Sequence, residues 1–208
     1  MNSSIQGSEF GTHKRPSPQQ RAELRRWMIA QRQAIALEQR LLWSEQIDLH
    51  LKHLLERLEP RQVGACWPFR AEHDLRPICA WLRSRGVVTA LPRVLGAGQA
   101  LQWRRWDETA ALSADRMGLM FPADGEPIAP DLLLIPGNAF DDCGYRLGYG
   151  AGFFDITLAQ AQPRPIAVGV AYSIARVPDL LAQAHDLPMN WLVTEQGIES
   201  VDGRLGSV

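Results

Sequence analysis

Cysteine is scarce in this chain. Cys66, Cys79 and Cys143 form an odd, scattered set without C-x-x-C spacing. That excludes a disulfide framework and a thiolate zinc site and leaves three reduced thiols. Net charge is nearly absent as well, at -1 over 208 residues, so no global field draws the chain to nucleic acid. No apolar run approaches the roughly 18 residues that span a bilayer, and no signal-peptide pattern precedes the first helix. A membrane role is therefore not expected, and a cytoplasmic location is. Internal repeats and low-complexity linkers are missing. So are the two common nucleotide fingerprints. No lysine occurs in the glycine-rich segment to make G-x-x-x-x-G-K-[ST], and Phe153 stands where G-x-G-x-x-G needs its third glycine after Gly148 and Gly150.

What remains is ordinary globular material, with 46% hydrophobic and 22% charged residues. The length suits one domain, here expected over 13–208. Residues 1–12 carry dipeptides typical of cloning sites (Gly7-Ser8, Glu9-Phe10, Gly11-Thr12) and are set aside as an expression scar. Ser17-Pro18-Gln19-Gln20 then reads as a capped helix start running to about Arg32. Ile47, Leu51, Leu54, Leu55 and Leu58 mark one face of a second helix. Strands are expected at 63–67, 87–92, 101–106, 132–135, 166–171 and 191–194, with a helix at 77–85. Strands alternating with helices predict an α/β fold, a largely parallel sheet flanked by helices on both faces.

The most informative stretch runs from Asp131 to Asp155. Leu132 to Ile135 is a continuous apolar run, the mark of a strand buried on both faces. It opens into Gly144, Gly148, Gly150 and Gly152, which let backbone N–H groups approach an anion. A helix beginning near Gly152 adds the positive end of its dipole. Arg146 supplies a permanently charged fork for phosphate oxygens, and Asp155 a carboxylate for a metal carried by phosphate. A tight strand-to-helix connection would look similar from composition alone.

The full string settles more. Asn138-Ala139-Phe140-Asp141, Gly144, and Arg146-Leu147-Gly148-Tyr149-Gly150-Ala151-Gly152-Phe153-Phe154-Asp155 resemble the signature of the 5-formyltetrahydrofolate cyclo-ligase family. The resemblance implies a fold related to the sugar-phosphate isomerase and CoA-transferase-like group. It implies ATP-dependent closure of 5-formyltetrahydrofolate to 5,10-methenyltetrahydrofolate, with Mg²⁺ as cofactor and reduced folate and ATP as the partners. Arg21-Ala22-Glu23-Leu24-Arg25 matches the family's [KR]-x-x-L-R segment, so Arg21 and Arg25 are expected at ATP together with Arg146 and residues 147–154. Arg146 and Asp155 are the expected catalytic pair. Trp67, Glu72, Tyr149 and Phe153 are expected at the folate, and Asp155 with Asp186 at the metal.

Each assignment has a plainer rival. Arg21 and Arg25 sit four apart on one helix face, which with Lys14, Arg15, Arg26 and Arg32 suits a solvated basic surface. Glu72 could cap the next helix, Asp186 precedes a proline as turn residues do, and tryptophans are ordinary core. The chain also departs from the family at Ala151, Phe153, Phe154, Ile156 and Asn190, which bears on affinity more than on reaction class. A non-catalytic folate or nucleotide sensor on the same scaffold is the alternative.

Overall fold

The computed structural model describes residues 17–180 and 182–201. The expected expression scar at 1–12, and Lys14 and Arg15, lie outside the described residues. Helix α1 (Pro18–Ala34) opens on the expected capping box. Ser17 Oγ accepts from the Gln20 amide at 3.2 Å, and Gln20 Oε1 accepts from the Ser17 amide at 2.7 Å. Helix α2 (Leu37–Leu58) begins well before the apolar stripe that reveals it, behind Ala36, which offers no capping side chain.

The remaining elements follow in chain order: β1 (Gln62–Gly64), α3 (Arg76–Ser84), β2 (Val88–Arg93), β3 (Gln102–Trp106), β4 (Leu112–Ala114), β5 (Met120–Pro122), β6 (Pro127–Ile128) and β7 (Leu132–Pro136). Then come β8 (Ala139–Phe140), β9 (Arg146–Leu147), α4 (Phe153–Gln160), β10 (Ile166–Val170), β11 (Trp191–Thr194) and β12 (Gly197–Ser200). The main sheet has the order β12-β11-β10-β7-β1-β2-β3-β6. β11, β10, β7, β1 and β2 run parallel. Antiparallel β12 closes one edge, and β3 with β6 closes the other. β4 pairs with β5 and β8 with β9 as separate ribbons.

β7 shows why the sheet needs cover on both sides. Leu132 and Leu134 point into a core with Leu51, Leu54 and Leu55 of α2 and Ile78 and Leu82 of α3. Leu133 and Ile135 point the other way, into a core with Leu158 of α4 and Leu192. These four of the five β7 residues are fully buried, as a central parallel strand requires. The expected α/β architecture is therefore the observed one.

Gly64 allows the close approach of β1 to its neighbours. A Cβ there would lie 2.6 Å from Leu133 Cδ2 and 2.7 Å from the Trp103 ring. Gly64→Ala is expected to cost about 1–3 kcal/mol through overpacking. A urea titration checks it: the midpoint should fall with an unchanged slope.

Two sequence expectations are corrected. The strand expected at 63–67 ends at Gly64, because after the Ala65 amide bonds Ala90 O at 2.9 Å the chain turns out of the sheet. The segment expected as one long glycine-rich loop contains the β8–β9 ribbon, its turn built on Asp141. Asp141 Oδ1 accepts from the Cys143 and Tyr145 amides at 3.1 and 3.0 Å, and Oδ2 from the Leu180 amide at 3.0 Å.

Chain order reverses between β1 and β7. β1 leads outward to β2 on one side, and β7 to β10 and β11 on the other. Such a switch point splays the connections apart at the carboxyl ends of the strands and leaves a crevice there.

Candidate functional site

That crevice is a cleft of about 610 Å³. Cys66 and Trp67 after β1, Pro92 of β2 and Pro136 of β7 form part of its wall, and the segment from Arg146 to Asp155 arches over it. Arg21, Arg25, Glu72 and Asp186 also line it. The structure thus brings all fifteen sequence-expected site residues to one place.

The anionic end is built from arginines on two elements. β9 fixes the direction of Arg146, whose Nη2 donates to Asp155 Oδ2 at 3.3 Å and whose guanidinium lies 5.0 Å from the Phe154 ring centre. Arg146 Nε is buried and has no hydrogen-bond partner among the described residues. Burial pulls the Arg146 guanidinium below its ordinary range, while Asp155 and Asp186 push it back; arginine stays charged in either case. Arg25 Nε reaches from α1 to donate to Gly148 O at 2.6 Å. Burial and then the neighbouring Arg21 depress Arg25 too. Cations crowded in a cleft are the reverse side of an appetite for an anion.

Gly150 has φ +103, and a Cβ on it would stand 3.3 Å from Arg25 Nη2. Only glycine keeps the turn this close to the helix. Gly152, at φ 68, caps the N-terminus of α4. Leu147 lines the cleft but packs its side chain with Met28, Ala139 and Leu180, so Leu147 offers a ligand backbone rather than side chain. Phe154 leans on Trp103, and the ring of Trp67 has the Arg76 guanidinium over one face at 4.7 Å and meets Trp106 in a T-shaped contact. Burial pushes the Cys66 thiol far up, which leaves it a poor nucleophile.

Both expected metal carboxylates face the cleft, and each is held by an arginine. Asp155 takes Arg146 and, on Oδ1, the Leu187 amide at 3.2 Å. Asp186 Oδ2 takes Arg21 Nη1 at 3.0 Å and the Gln183 amide at 2.8 Å. Among the described residues no group of three or more His, Cys, Asp or Glu gathers to hold a metal. Two carboxylates suit a hard cation that arrives with phosphate oxygens and keeps its own water. Asn190, one of the departures noted from the family pattern, ties β10 to the start of β11, its Oδ1 accepting from the Ala167 amide at 2.8 Å.

Glu72 lines the same cleft. It follows a turn in which Arg70 and Ala71 take φ of 49 and 62, a conformation that costs a non-glycine residue energy and marks functional turns. Glu72 Oε2 accepts from the Phe69 amide at 3.1 Å and Oε1 from the Tyr149 hydroxyl at 2.7 Å. Burial raises its carboxyl above the usual range, and Arg32, Tyr149 and the Phe69 amide restrain the rise. The rival reading of Glu72 as a helix cap fails, since the first amide of α3, that of Arg76, donates to Asp74 Oδ1 at 3.0 Å and the Glu72 oxygens are turned to Phe69 and Tyr149.

Arg32 is the residue that sequence reasoning undervalued. It looked like one more charge on a basic face, yet its side chain is 6% exposed. Arg26, by contrast, is exposed and is the solvated residue that reading describes. The available signal was spacing: residues 21, 25 and 32 fall on one helical stripe. Asn138, from the same string, lines a smaller recess behind Glu72 with Arg32, His73 and Tyr172 rather than the cleft.

A profile of the 5-formyltetrahydrofolate cyclo-ligase family matches residues 17–195. The chain is 28% identical over 187 residues to the 5-formyltetrahydrofolate cyclo-ligase of Mycolicibacterium smegmatis, covering 86% of this chain and 95% of that protein. It is 29% identical over 176 residues to the Escherichia coli enzyme of the same name, covering 80% and 96%. The solved 5,10-methenyltetrahydrofolate synthetase of Aquifex aeolicus superposes with a TM-score of 0.77 at 32% identity, covering 90% of this chain and 95% of that one. A Mycoplasma pneumoniae synthetase shares the fold at 0.70 and 19% identity, covering 84% and 98%.

Proposed function

This chain belongs to the 5-formyltetrahydrofolate cyclo-ligase family, and from that premise we propose that its cleft turns 5-formyltetrahydrofolate and ATP into 5,10-methenyltetrahydrofolate, ADP and phosphate. The observation that carries the reading is the convergence, in one crevice at the switch point, of a buried carboxylate and a cluster of arginines. An amino-pyrimidine edge presents N–H donors, which Glu72 can accept, while Trp67, Tyr149 and Phe153 offer faces for flat rings. Arg21, Arg25, Arg146 and the backbone from Leu147 to Phe154 hold the triphosphate.

With both ends held, the formyl oxygen attacks the γ-phosphorus and ADP departs. Nitrogen 10 then attacks the activated formyl carbon, loses its proton, and expels phosphate as the five-membered ring closes. No protein nucleophile is required. Positioning and charge neutralisation carry the reaction, which fits a site rich in arginine with an inert thiol. Asp155 and Asp186 would hold Mg²⁺ against the phosphate oxygens, where the cation neutralises charge on the transferring group. The same reading takes residues 13–208 as one catalytic domain.

The test is absorbance of the methenyl product when the protein meets 5-formyltetrahydrofolate and Mg-ATP. Growth of the signal is expected only with both ATP and the metal present. Folate binding by calorimetry without any growth would favour the sensor instead.

A further inference from the structure

We propose that Arg32 is a positioning residue for folate recognition, a buried clamp that presents Glu72 to the pterin edge and links it to the glycine-rich turn. The proposal rests on the reading of Glu72 as the folate carboxylate, and the experiment below separates the two. All three guanidinium nitrogens of Arg32 are in use. Nε donates to Arg70 O at 3.0 Å, Nη1 to Gly137 O at 3.3 Å and Nη2 to the Tyr149 hydroxyl at 2.9 Å. One side chain therefore ties together the strained turn before Glu72, the exit of β7 and the arch over the cleft. Lysine, with a single nitrogen on a flexible stem, cannot reproduce that planar fork.

The bonds also set a direction. The Tyr149 oxygen accepts from Arg32, so its own proton is free to go to Glu72, at 2.7 Å. Burial and the neighbouring Glu72 raise the Tyr149 phenol further, so it keeps that proton. An ionised carboxylate offers about four acceptor positions. Tyr149 and the Phe69 amide occupy two of them, which leaves Glu72 able to accept a pair of donors from the ligand.

Arg32 Nη2 stands 3.7 Å from Glu72 Oε1, with both side chains 6% exposed. Its charge opposes the rise that burial imposes on the Glu72 carboxyl. The other groups facing or flanking Glu72 are Tyr149 from the arch, Cys66 from the segment after β1, with Arg146 beyond it, and the chain neighbours Arg70 and His73. His73 is occupied with Asp48 of α2, Nε2 to Oδ1 at 3.0 Å.

The experiment is calorimetric binding of 5-formyltetrahydrofolate without ATP between about pH 5 and pH 8.5, with Mg-ATP binding measured in parallel. Binding requires ionised Glu72, so affinity should fall as pH drops through its raised pKa. In Arg32→Met burial acts with less opposition. The acid limb should then move to higher pH, and affinity at pH 7 should fall about tenfold or more. Mg-ATP affinity should change far less than folate affinity, because Arg32 meets the glycine-rich turn only at the Tyr149 hydroxyl and bonds none of Arg21, Arg25 and Arg146. Arg32→Lys keeps the charge and should leave the limb closer to wild type while still weakening folate binding. Glu72→Gln should remove the limb altogether. If Glu72→Gln binds as wild type does, Glu72 is not the folate carboxylate and the reading beneath the proposal fails. If Glu72→Gln behaves as expected while Arg32→Met keeps both the wild-type limb and affinity, the clamp is refuted and the reading stands. Should Arg32→Met not fold, wild-type folate affinity in folded Arg32→Lys refutes the clamp equally.

Discussion

Asp155→Asn is expected to lower turnover about 10²–10³-fold, the usual loss when one preorganised charge-stabilising group is removed, while 5-formyltetrahydrofolate binds almost as before. The substitution is chosen for what it preserves. Asparagine Oδ1 can still accept from the Leu187 amide, so the 3.2 Å bond that joins the first turn of α4 to the segment at Leu187 survives. The charge is lost. Arg146 then keeps Asp186 as its remaining acidic neighbour, and any cation arriving with the triphosphate finds one carboxylate instead of two.

Stability has to be read separately from rate. Arg146 and Asp155 have side-chain exposures of 5% and 13%, and removing one partner of a buried pair costs about 3–5 kcal/mol. A urea midpoint measured beside the kinetics separates a protein that no longer folds from one that folds and does not turn over. Unchanged turnover by folded Asp155→Asn at saturating Mg-ATP would remove the metal role of Asp155. Calorimetry should show the folate end untouched, since Glu72, Arg32 and Tyr149 make no contact with Asp155.

Residue by residue, the sequence reveals what repeats or buries and hides what depends on a distant partner. β7 and β11 are legible because every residue from Leu132 to Ile135 and from Trp191 to Thr194 is buried, so the apolar run is continuous. β4, β6 and β12 are not legible. They are two to four residues long with partly exposed patterns, less than it takes to display an alternation, and their pairing is decided by partners elsewhere in the chain. The start of α2 was hidden for a related reason. Leu37, Leu41 and Leu42 are exposed, so the first turns of α2 lack the buried face that Ile47, Leu51, Leu54 and Leu55 form later.

The site shows the same division. Arg146, Asp155 and the glycines announce themselves through a long local string. Arg32 is local to nothing: its acceptors belong to Arg70, Gly137 and Tyr149, each far away in sequence, and only burial separates it from the exposed Arg26. Pairing of the acidic residues is equally invisible in one dimension. Arg21 and Asp186 are 165 residues apart, yet meet at 3.0 Å.

Arg146→Ala is expected to weaken the interaction with ATP by about 1.5–3 kcal/mol, the range for a hydrogen bond to a charged group, or roughly ten- to 150-fold in affinity. The state of the guanidinium in the free protein supports that size. Its Nη2 bond to Asp155 is long at 3.3 Å, and its Nε is buried without a partner among the described residues. A buried donor left unpaired is costly, so a phosphate oxygen that supplies the missing acceptor recovers that cost on binding. Arg146→Lys separates charge from geometry. A lysine nitrogen keeps the attraction to the triphosphate but loses the fork and the planar face that lies over Phe154, so its loss should fall between those of wild type and alanine. If the fork also steadies the γ-phosphate during transfer, kcat should drop along with ATP affinity; a change confined to KM would mean that Arg146 binds the ground and transition states alike. Wild-type ATP affinity and rate in a folded Arg146→Ala would leave the orphaned Nε without a part in phosphate recognition and take Arg146 out of the site.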